Sequence, residues 1–198
     1  MSHVDLAFRV VERHPSYVIL LGIEPRTAEP EYGYIVPGGR VAFLNPLPVR
    51  AVSRFEEKPS QHRAKELIKR GGLWNTMVMV FKVKILLDLM RGVAPALYGS
   101  FKSIQGAIGS AEEMDVVERA YRDMEPVNFS AGLLAGFPME NLLVLAVRGV
   151  VWSDWGTERR IVTSLKENGD LALGHGIPEK QIQLKKRSLT LLSREEAP

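Results

Sequence analysis

The chain has 198 residues, of which 45% are hydrophobic and 25% charged, which suffices for one globular domain with a real core. No stretch approaches the roughly 18 consecutive apolar residues of a membrane span, and the first residues lack the apolar centre of a secretory signal. Cysteine is absent, which excludes disulfides and thiolate metal sites and fits the cytoplasmic location that we expect. The net charge of only +3 argues against nucleic-acid binding, and no membrane contact is expected.

The first predicted elements are strands. Residues 17–23, "YVILLGI", are a short run of mostly branched apolar residues between two prolines, which predicts a buried strand. A proline-rich loop leads to "YGYIV", and the sequence "PGG" at 37–39 predicts a turn. From Val49, "VRAVSRFEEKP" alternates apolar and polar residues, as a half-buried strand does, and it stops at Pro59.

Helices and strands then alternate along the chain. The predicted elements are a helix over 61–70 capped by Ser60, a strand from Leu73 ("LWNTMVMVFK"), a helix from Ile85 that Pro95 interrupts, a helix over 111–124 capped by Ser110, a strand over 141–147 ("NLLVLAV") and a helix over 158–169.

This irregular alternation predicts an α/β fold with a mixed sheet. We expect one domain over residues 1–170 and a polar, mobile tail over 171–198, which contains Pro178 and the basic cluster at 185–187.

Two short motifs place polar groups where a ligand could approach. In "FEEKP", Lys58 lies at a strand end held by Pro59, where it could neutralise a phosphate while Glu57 accepts hydrogen bonds from hydroxyls. In "EYGYI", Gly33 stands between two tyrosines, which indicates close approach to the backbone. A solvated strand end and a β-bulge are the structural alternatives to these two interpretations.

Two further motifs carry a polar residue in an apolar setting. Asn75 in "LWNTMVMVF" needs hydrogen-bond partners if it is buried, either in a backbone turn or on a ligand. Asp154 in "VVWSDWGTE" follows an apolar strand and is either a ligand for a hard cation such as Mg²⁺ or the first residue of an Asx-type turn.

The order of these motifs is more specific than any of them alone. The series "LLGIEPRTAEPEYGYI", "VSRFEEKP", "GGLWNT" and "ENLLVLAVRGVVWSDWGTERRI" resembles the sugar-nucleotide nucleotidyltransferases, in particular the mannose-1-phosphate guanylyltransferase branch. The resemblance runs from about Tyr17 to Ile161. It implies a partial Rossmann-like nucleotidyltransferase fold and the joining of a hexose 1-phosphate, here mannose 1-phosphate, to a nucleoside triphosphate, here GTP, with release of pyrophosphate.

The resemblance also implies roles for individual residues. Gly33 offers its backbone to the sugar, Glu57 holds sugar hydroxyls, Lys58 holds the sugar phosphate and Asn75 faces the sugar. Asp154 holds Mg²⁺ between the two substrates, with the flanking tryptophans packed around its turn. Lys58 and Asp154 are therefore the expected catalytic residues.

The chain departs from the family pattern in two respects. It lacks the opening strand and glycine-rich loop that bind the triphosphate, and the second magnesium-binding aspartate, for which Asp5 is a poor substitute. Thr76 and Met77 stand where the family has serine and glycine after the asparagine, and the methionine could crowd the sugar site.

Three hypotheses follow from these departures. The chain is an N-terminally truncated nucleotidyltransferase, weakly active or inactive alone. Alternatively, it is a non-catalytic sugar-phosphate-binding or regulatory module that pairs with a complete subunit, or else the product of a broken reading frame. A homo-oligomer or a complete subunit is the expected protein partner, since the missing strands would leave a sheet edge to cover.

Overall fold

The computed structural model describes residues 2–150, 152–157, 160–162 and 164. The chain divides into two compact units, residues 1–150 and 151–198. Among the described residues, no helix has both the length and the apolar character needed to cross a bilayer. The expected boundary at 170/171 and the tail beyond it lie outside the described residues.

The first unit consists of a five-stranded sheet with helices packed against it. Its described α-helices are α1 His3–Arg13, α2 Gln61–Lys69, α3 Val83–Val93, α4 Pro95–Ala107 and α5 Glu113–Asp123. The strands are β1 Val18–Ile23, β2 Tyr34–Arg40, β3 Val49–Glu56, β4 Leu73–Val80 and β5 Leu142–Val147. Short 3₁₀ turns lie at Ala42–Leu44, Leu134–Gly136 and Met139–Asn141, and a π-turn lies at Phe129–Leu133.

The sheet is mixed, as predicted. Its strand order is β1-β4-β2-β3-β5, and β5 returns to pair with β1, so that the sheet closes on itself. The β1–β5 pair is parallel, with Val18 opposite Leu142 and Ile23 opposite Val147, and the other pairs are antiparallel. Tyr34 at the start of β2 is opposite both Trp74 and Glu56, so the beginning of β2 lies next to the end of β3 and the beginning of β4.

The core lies on both faces of β1 and β5. Every residue of β1 is buried, and its side chains alternate between two apolar clusters because successive strand residues point to opposite faces. One cluster packs α1 on Ile19 and Leu21, and the other packs Leu134 and Phe137 on Val18 and Leu20. Each fully buried aliphatic side chain contributes about 1.5–3 kcal/mol to this packing.

Two helix starts follow from their capping residues. The Ser60 side chain accepts from the Arg63 backbone N–H at 3.2 Å, which confirms Ser60 as the cap of α2. At α1, Ser2 and Asp5 exchange side-chain-to-backbone hydrogen bonds, and these bonds from Ser2 lower the pKa of Asp5. Asp5 therefore serves as part of a helix cap.

Two local predictions were wrong, and a third was confirmed. Residues 37–39 belong to β2 and form no turn. The missing N–H of Pro37 breaks no bond to β4, because β2 pairs with β4 only at Tyr34 and Ile35. The helix predicted from Ile85 is α3, and Pro95 interrupts it as predicted: α3 ends at Val93, and Pro95 is the first residue of α4, where a proline N–H is not needed. The N-cap of α5 is Glu112, and the Ser110 side chain accepts from the Glu112 N–H at 3.2 Å, before the helix begins.

Candidate functional site

Three chain segments meet where β3 ends and β4 begins. The Tyr32 carbonyl accepts from the Lys58 N–H at 3.2 Å, and the Gly33 carbonyl accepts from the Asn75 N–H at 2.8 Å. The fold thus brings together the four residues of the first unit that the motifs predicted, Gly33, Glu57, Lys58 and Asn75.

The three segments of this junction approach one another most closely at Gly33. A Cβ atom on Gly33 would lie 2.5 Å from Glu57 Oε2 and 3.3 Å from both Asn75 Cβ and Phe55 Cζ. Because 2.5 Å is far inside van der Waals contact, only glycine lets the Glu57 carboxylate lie against the backbone here.

A buried tyrosine, Tyr34, stabilises the junction. Tyr34 is 0% exposed, and its hydroxyl accepts from Trp74 Nε1 at 3.1 Å and from the Glu29 N–H at 2.9 Å while donating to the Glu29 carbonyl at 3.1 Å. Tyr32 packs edge-on against Trp74 with ring centroids 4.9 Å apart. These contacts fix the loop before β2 to the start of β4.

A Tyr34→Phe variant is expected to lose about 1–3 kcal/mol of unfolding free energy, because the Glu29 N–H and the indole lose a buried acceptor. Urea unfolding measures the loss. Tyr121→Phe, which changes an exposed tyrosine, is the control and should alter stability by less than about 0.5 kcal/mol. Equal effects of the two substitutions would contradict the anchoring role.

Glu57 and Glu56 are neighbours with opposite environments. Glu56 lies in an ion pair with Arg63, at 3.0 Å, and with Arg54, at 2.9 Å; hydrogen bonds from these groups lower its pKa. Burial raises the pKa of Glu57, a shift that the Lys58 charge and a hydrogen bond from Ser130 oppose. Of these two carboxylates, Glu57 is therefore the one that can still accept hydrogen bonds from a ligand.

A Glu57→Gln variant is expected to be more stable than the parent at pH 7, by a few tenths of a kcal/mol up to about 0.5, because ionised Glu57 is partly desolvated in the fold and solvent screens part of that cost. The folded-state pKa is raised, so this cost is absent below the ordinary value of 4.5 and grows as the pH rises through the folded-state pKa. Thermal unfolding at pH 4 and pH 7 tests this.

Glu56→Gln is the matched control for that substitution and has the opposite sign. The pKa of Glu56 is lowered, so its contribution to stability is present at pH 7, and the variant should be less stable than the parent there. A loss of stability in both glutamine variants at pH 7 would contradict the assignment of Glu57 as the desolvated carboxylate.

Lys58 is an exposed side chain on a constrained backbone. Its φ of 45° lies in the left-handed region, which is uncommon for a residue other than glycine, and its N–H is bound to Tyr32. Within the part of the chain that the structure describes, the Lys58 ammonium makes no ion pair. The cation is therefore accessible to an anionic ligand.

Asn75 is buried and is held by Met77. The Asn75 amide oxygen accepts from the Met77 N–H at 3.2 Å, and its nitrogen donates to the Met77 sulfur at 3.1 Å. The Ser130 hydroxyl donates to the same sulfur at 3.2 Å. Sequence reasoning missed Ser130, because nothing in "NFSAGLL" distinguishes this serine from an ordinary turn residue.

A second concave region lies at the ends of β1 and β5. This cavity of about 940 Å³ has three arginines in its lining, Arg40, Arg50 and Arg148. Arg148 pairs with Glu24 at 2.9 Å, and Arg50 donates to the Gly38 carbonyl at 2.8 Å. Two of the three cations are therefore used within the protein, so this cavity is a weaker candidate for an anion site than the Lys58 junction.

Asp154 belongs to the second unit. Its Oδ1 accepts from the Gly156 N–H at 3.0 Å, which is the hydrogen bond of an Asx turn, and lies 2.9 Å from Arg160 Nε. Trp155 is more than half exposed, with its indole donating to Ser164 Oγ at 3.2 Å. Hydrogen bonds and an ion pair, and not packing of Trp155 alone, hold the Asp154 turn.

The described residues do not by themselves form a magnesium site. Asp154 is a single carboxylate with both oxygens near Arg160, at 2.9 Å from Nε and 3.3 Å from Nη2. Among the described residues, no cluster of three or more potential metal ligands is found. The positive charge of Arg160 lies beside Asp154, the residue predicted to bind magnesium, and repels a metal ion there. No step is therefore assigned to a metal.

Comparison with known proteins decides the family. The model of the nucleotidyl transferase family matches residues 5–167, which is most of the chain. The chain belongs to the nucleotidyl transferase family. The resemblance inferred from the four motifs is thereby confirmed, and the junction of Gly33, Glu57, Lys58 and Asn75 lies inside the matched region.

Curated relatives of this chain include two kinds of bacterial protein. Alginate biosynthesis protein AlgA of Pseudomonas syringae pv. tomato is 32% identical over 116 residues, 56% of this chain and 23% of the relative. Mannose-1-phosphate guanylyltransferase 2 of Escherichia coli O157:H7 is 23% identical over 163 residues, 79% of this chain and 33% of the relative. The chain thus spans about a quarter to a third of the length of these relatives.

Two solved structures share the fold of this chain. A protein described as mannose-1-phosphate geranyltransferase from Thermus thermophilus matches with a TM-score of 0.58 and 24% identity, over 72% of this chain and 38% of that one. Mannose-6-phosphate isomerase from Helicobacter pylori matches with a TM-score of 0.58 and 21% identity, over 76% and 56%. At these identities the likeness concerns the fold.

Proposed function

We propose that this chain binds a hexose 1-phosphate, with mannose 1-phosphate as the first candidate, as the acceptor of the guanylyl group of GTP. The observation that carries the proposal is the junction of Gly33, Glu57 and Lys58. It combines an accessible cation, a partly desolvated carboxylate and a glycine that leaves room for this carboxylate against the backbone. The two relatives that are mannose-1-phosphate guanylyltransferase or AlgA proteins direct the choice of sugar and base.

Each of the three residues has a distinct task in this proposal. The Lys58 ammonium neutralises the sugar phosphate, to which it presents a compact charge on a flexible stem. The Glu57 carboxylate accepts hydrogen bonds from two sugar hydroxyls, which are stronger than neutral hydrogen bonds because the acceptor is charged. Gly33 leaves room for the Glu57 carboxylate against the backbone and so sets the position of that acceptor.

The reaction is an in-line displacement at phosphorus. An oxygen of the sugar 1-phosphate attacks the α-phosphorus of the nucleoside triphosphate, a new P–O bond forms, and the bond to pyrophosphate breaks. The contribution of this chain is to hold the attacking phosphate and neutralise part of its charge, so that two anions can meet. The predicted magnesium ligand Asp154 and the cytoplasmic location remain predictions.

Calorimetric titration tests the binding step directly. Mannose 1-phosphate is expected to bind at least about tenfold more tightly than either mannose or inorganic phosphate alone, because it engages both Glu57 and Lys58, and tenfold corresponds to about 1.4 kcal/mol. Equal affinity for mannose 1-phosphate and inorganic phosphate would mean that the site attracts any phosphate and does not bind the sugar, which would overturn the proposal.

A further inference from the structure

Met77 has an unusual backbone and an unusual position for its side chain. Its φ of 60° lies in the left-handed region, where glycine is favoured and methionine is strained. The side chain is 46% exposed, so its thioether lies at the surface of the junction that Gly33 and Glu57 form with β4. A residue without a side chain would relieve the strain and open this surface.

The Met77 sulfur accepts hydrogen bonds from two side chains that would otherwise be available to a ligand. Asn75 and Ser130 are only 5% and 7% exposed, and the sulfur lies 3.1 Å from the Asn75 amide nitrogen and 3.2 Å from the Ser130 hydroxyl. Buried polar groups need partners, and a thioether is a weak acceptor compared with an oxygen. A ligand hydroxyl at the position of the sulfur would make better hydrogen bonds to the Asn75 amide.

The Ser130 hydroxyl is held by the same sulfur. It donates to the Met77 thioether at 3.2 Å, just as the Asn75 amide does at 3.1 Å. Met77 therefore withholds both of these donors from a ligand.

We infer that Met77 determines the sugar specificity of this site by occupying, with its thioether, the place of one sugar hydroxyl. This inference rests on the proposed function. In the wild type, the sugar hydroxyl whose place the sulfur takes then adds nothing to the affinity, so the corresponding deoxyhexose 1-phosphate binds at least as tightly as the fully hydroxylated sugar. Removal of the side chain returns the Asn75 amide to the ligand and restores preference for the fully hydroxylated sugar.

The test compares ligands and variants together. Mannose 1-phosphate and its 2-, 3-, 4- and 6-deoxy analogues are titrated into the wild type, Met77→Gly and Met77→Leu. In Met77→Gly, mannose 1-phosphate should bind about tenfold more tightly than in the wild type, and one deoxy analogue should lose that gain. In the wild type, the same analogue should bind at least as tightly as mannose 1-phosphate.

Met77→Leu separates bulk from the sulfur contact. Leucine keeps about the same volume and removes the acceptor, so the affinity for mannose 1-phosphate should not rise above that of the wild type. For each deoxy analogue, the ratio of its affinity to that of mannose 1-phosphate is compared between the wild type and Met77→Gly. If no ratio changes, this inference is overturned and the proposed function stands. Absence of binding to any sugar phosphate by any of the three proteins would overturn the proposed function, and the inference with it.

Discussion

A Gly33→Ala variant is expected to bind mannose 1-phosphate about a hundredfold more weakly than the wild type while keeping its fold. The new Cβ would lie 2.5 Å from Glu57 Oε2, which must move. Because that atom is the end of a flexible side chain, the displacement costs little stability but removes the carboxylate from its position. Loss of two charge-assisted hydrogen bonds, at about 1.4 kcal/mol each, corresponds to the hundredfold loss. Calorimetric titration gives the affinity and thermal unfolding the stability.

Gly39→Ala is the matched control for Gly33→Ala. Gly39 lies in the same strand, β2, and nothing lies within 4 Å of the Cβ that alanine would add. This variant should bind mannose 1-phosphate as the wild type does. If Gly33→Ala binds as tightly as Gly39→Ala, the contact between Gly33 and Glu57 has no part in ligand binding.

A Lys58→Ala variant is expected to lose between about tenfold and a hundredfold in affinity for mannose 1-phosphate, because a hydrogen-bonded charge pair with phosphate contributes about 1.5–3 kcal/mol. The loss should shrink as salt is raised, since the Lys58 side chain is exposed and its charge is screened. Affinity for mannose, which carries no phosphate, should not change. Titrations at about 20 mM and 500 mM salt measure both effects.

Lys65→Ala is the control for the loss of one positive charge. Lys65 is an exposed lysine of α2, so its removal lowers the net charge by the same amount without touching the junction. Equal losses in the two lysine variants would show that overall charge, and not Lys58, attracts the phosphate. Binding that is indifferent to Lys58→Ala would refute the assignment of the site.

Local sequence patterns were sufficient for the strands that are buried on both faces. The apolar runs predicted at 17–23 and 141–147 correspond to β1 and β5, each with its start one residue later. The parallel pairing of β1 with β5 had no local signal, because it depends on which strands the rest of the chain leaves available. The turn predicted at 37–39 failed for a related reason, since a proline is tolerated where a strand has no neighbour on its N–H side.

The candidate site was predicted in part. Motifs identified Gly33, Glu57, Lys58 and Asn75, and strand register brought them together. Ser130 could not be found, because it reaches Met77 across 53 residues of sequence from an irregular segment. The ion pair of Asp154 with Arg160 was also missed, although the two lie only six residues apart, because a single carboxylate after a strand gives no sign of its partner.

The most direct test of the central claim is a titration of the ¹⁵N-labelled chain with mannose 1-phosphate, followed by amide NMR. Saturable shifts are expected at Gly33, Glu57 and Lys58, and inorganic phosphate in place of the sugar phosphate should shift Lys58 but not Gly33. Shifts confined to the cavity lined by Arg40 and Arg148, or no shifts at millimolar ligand, would contradict a sugar-phosphate site at this junction.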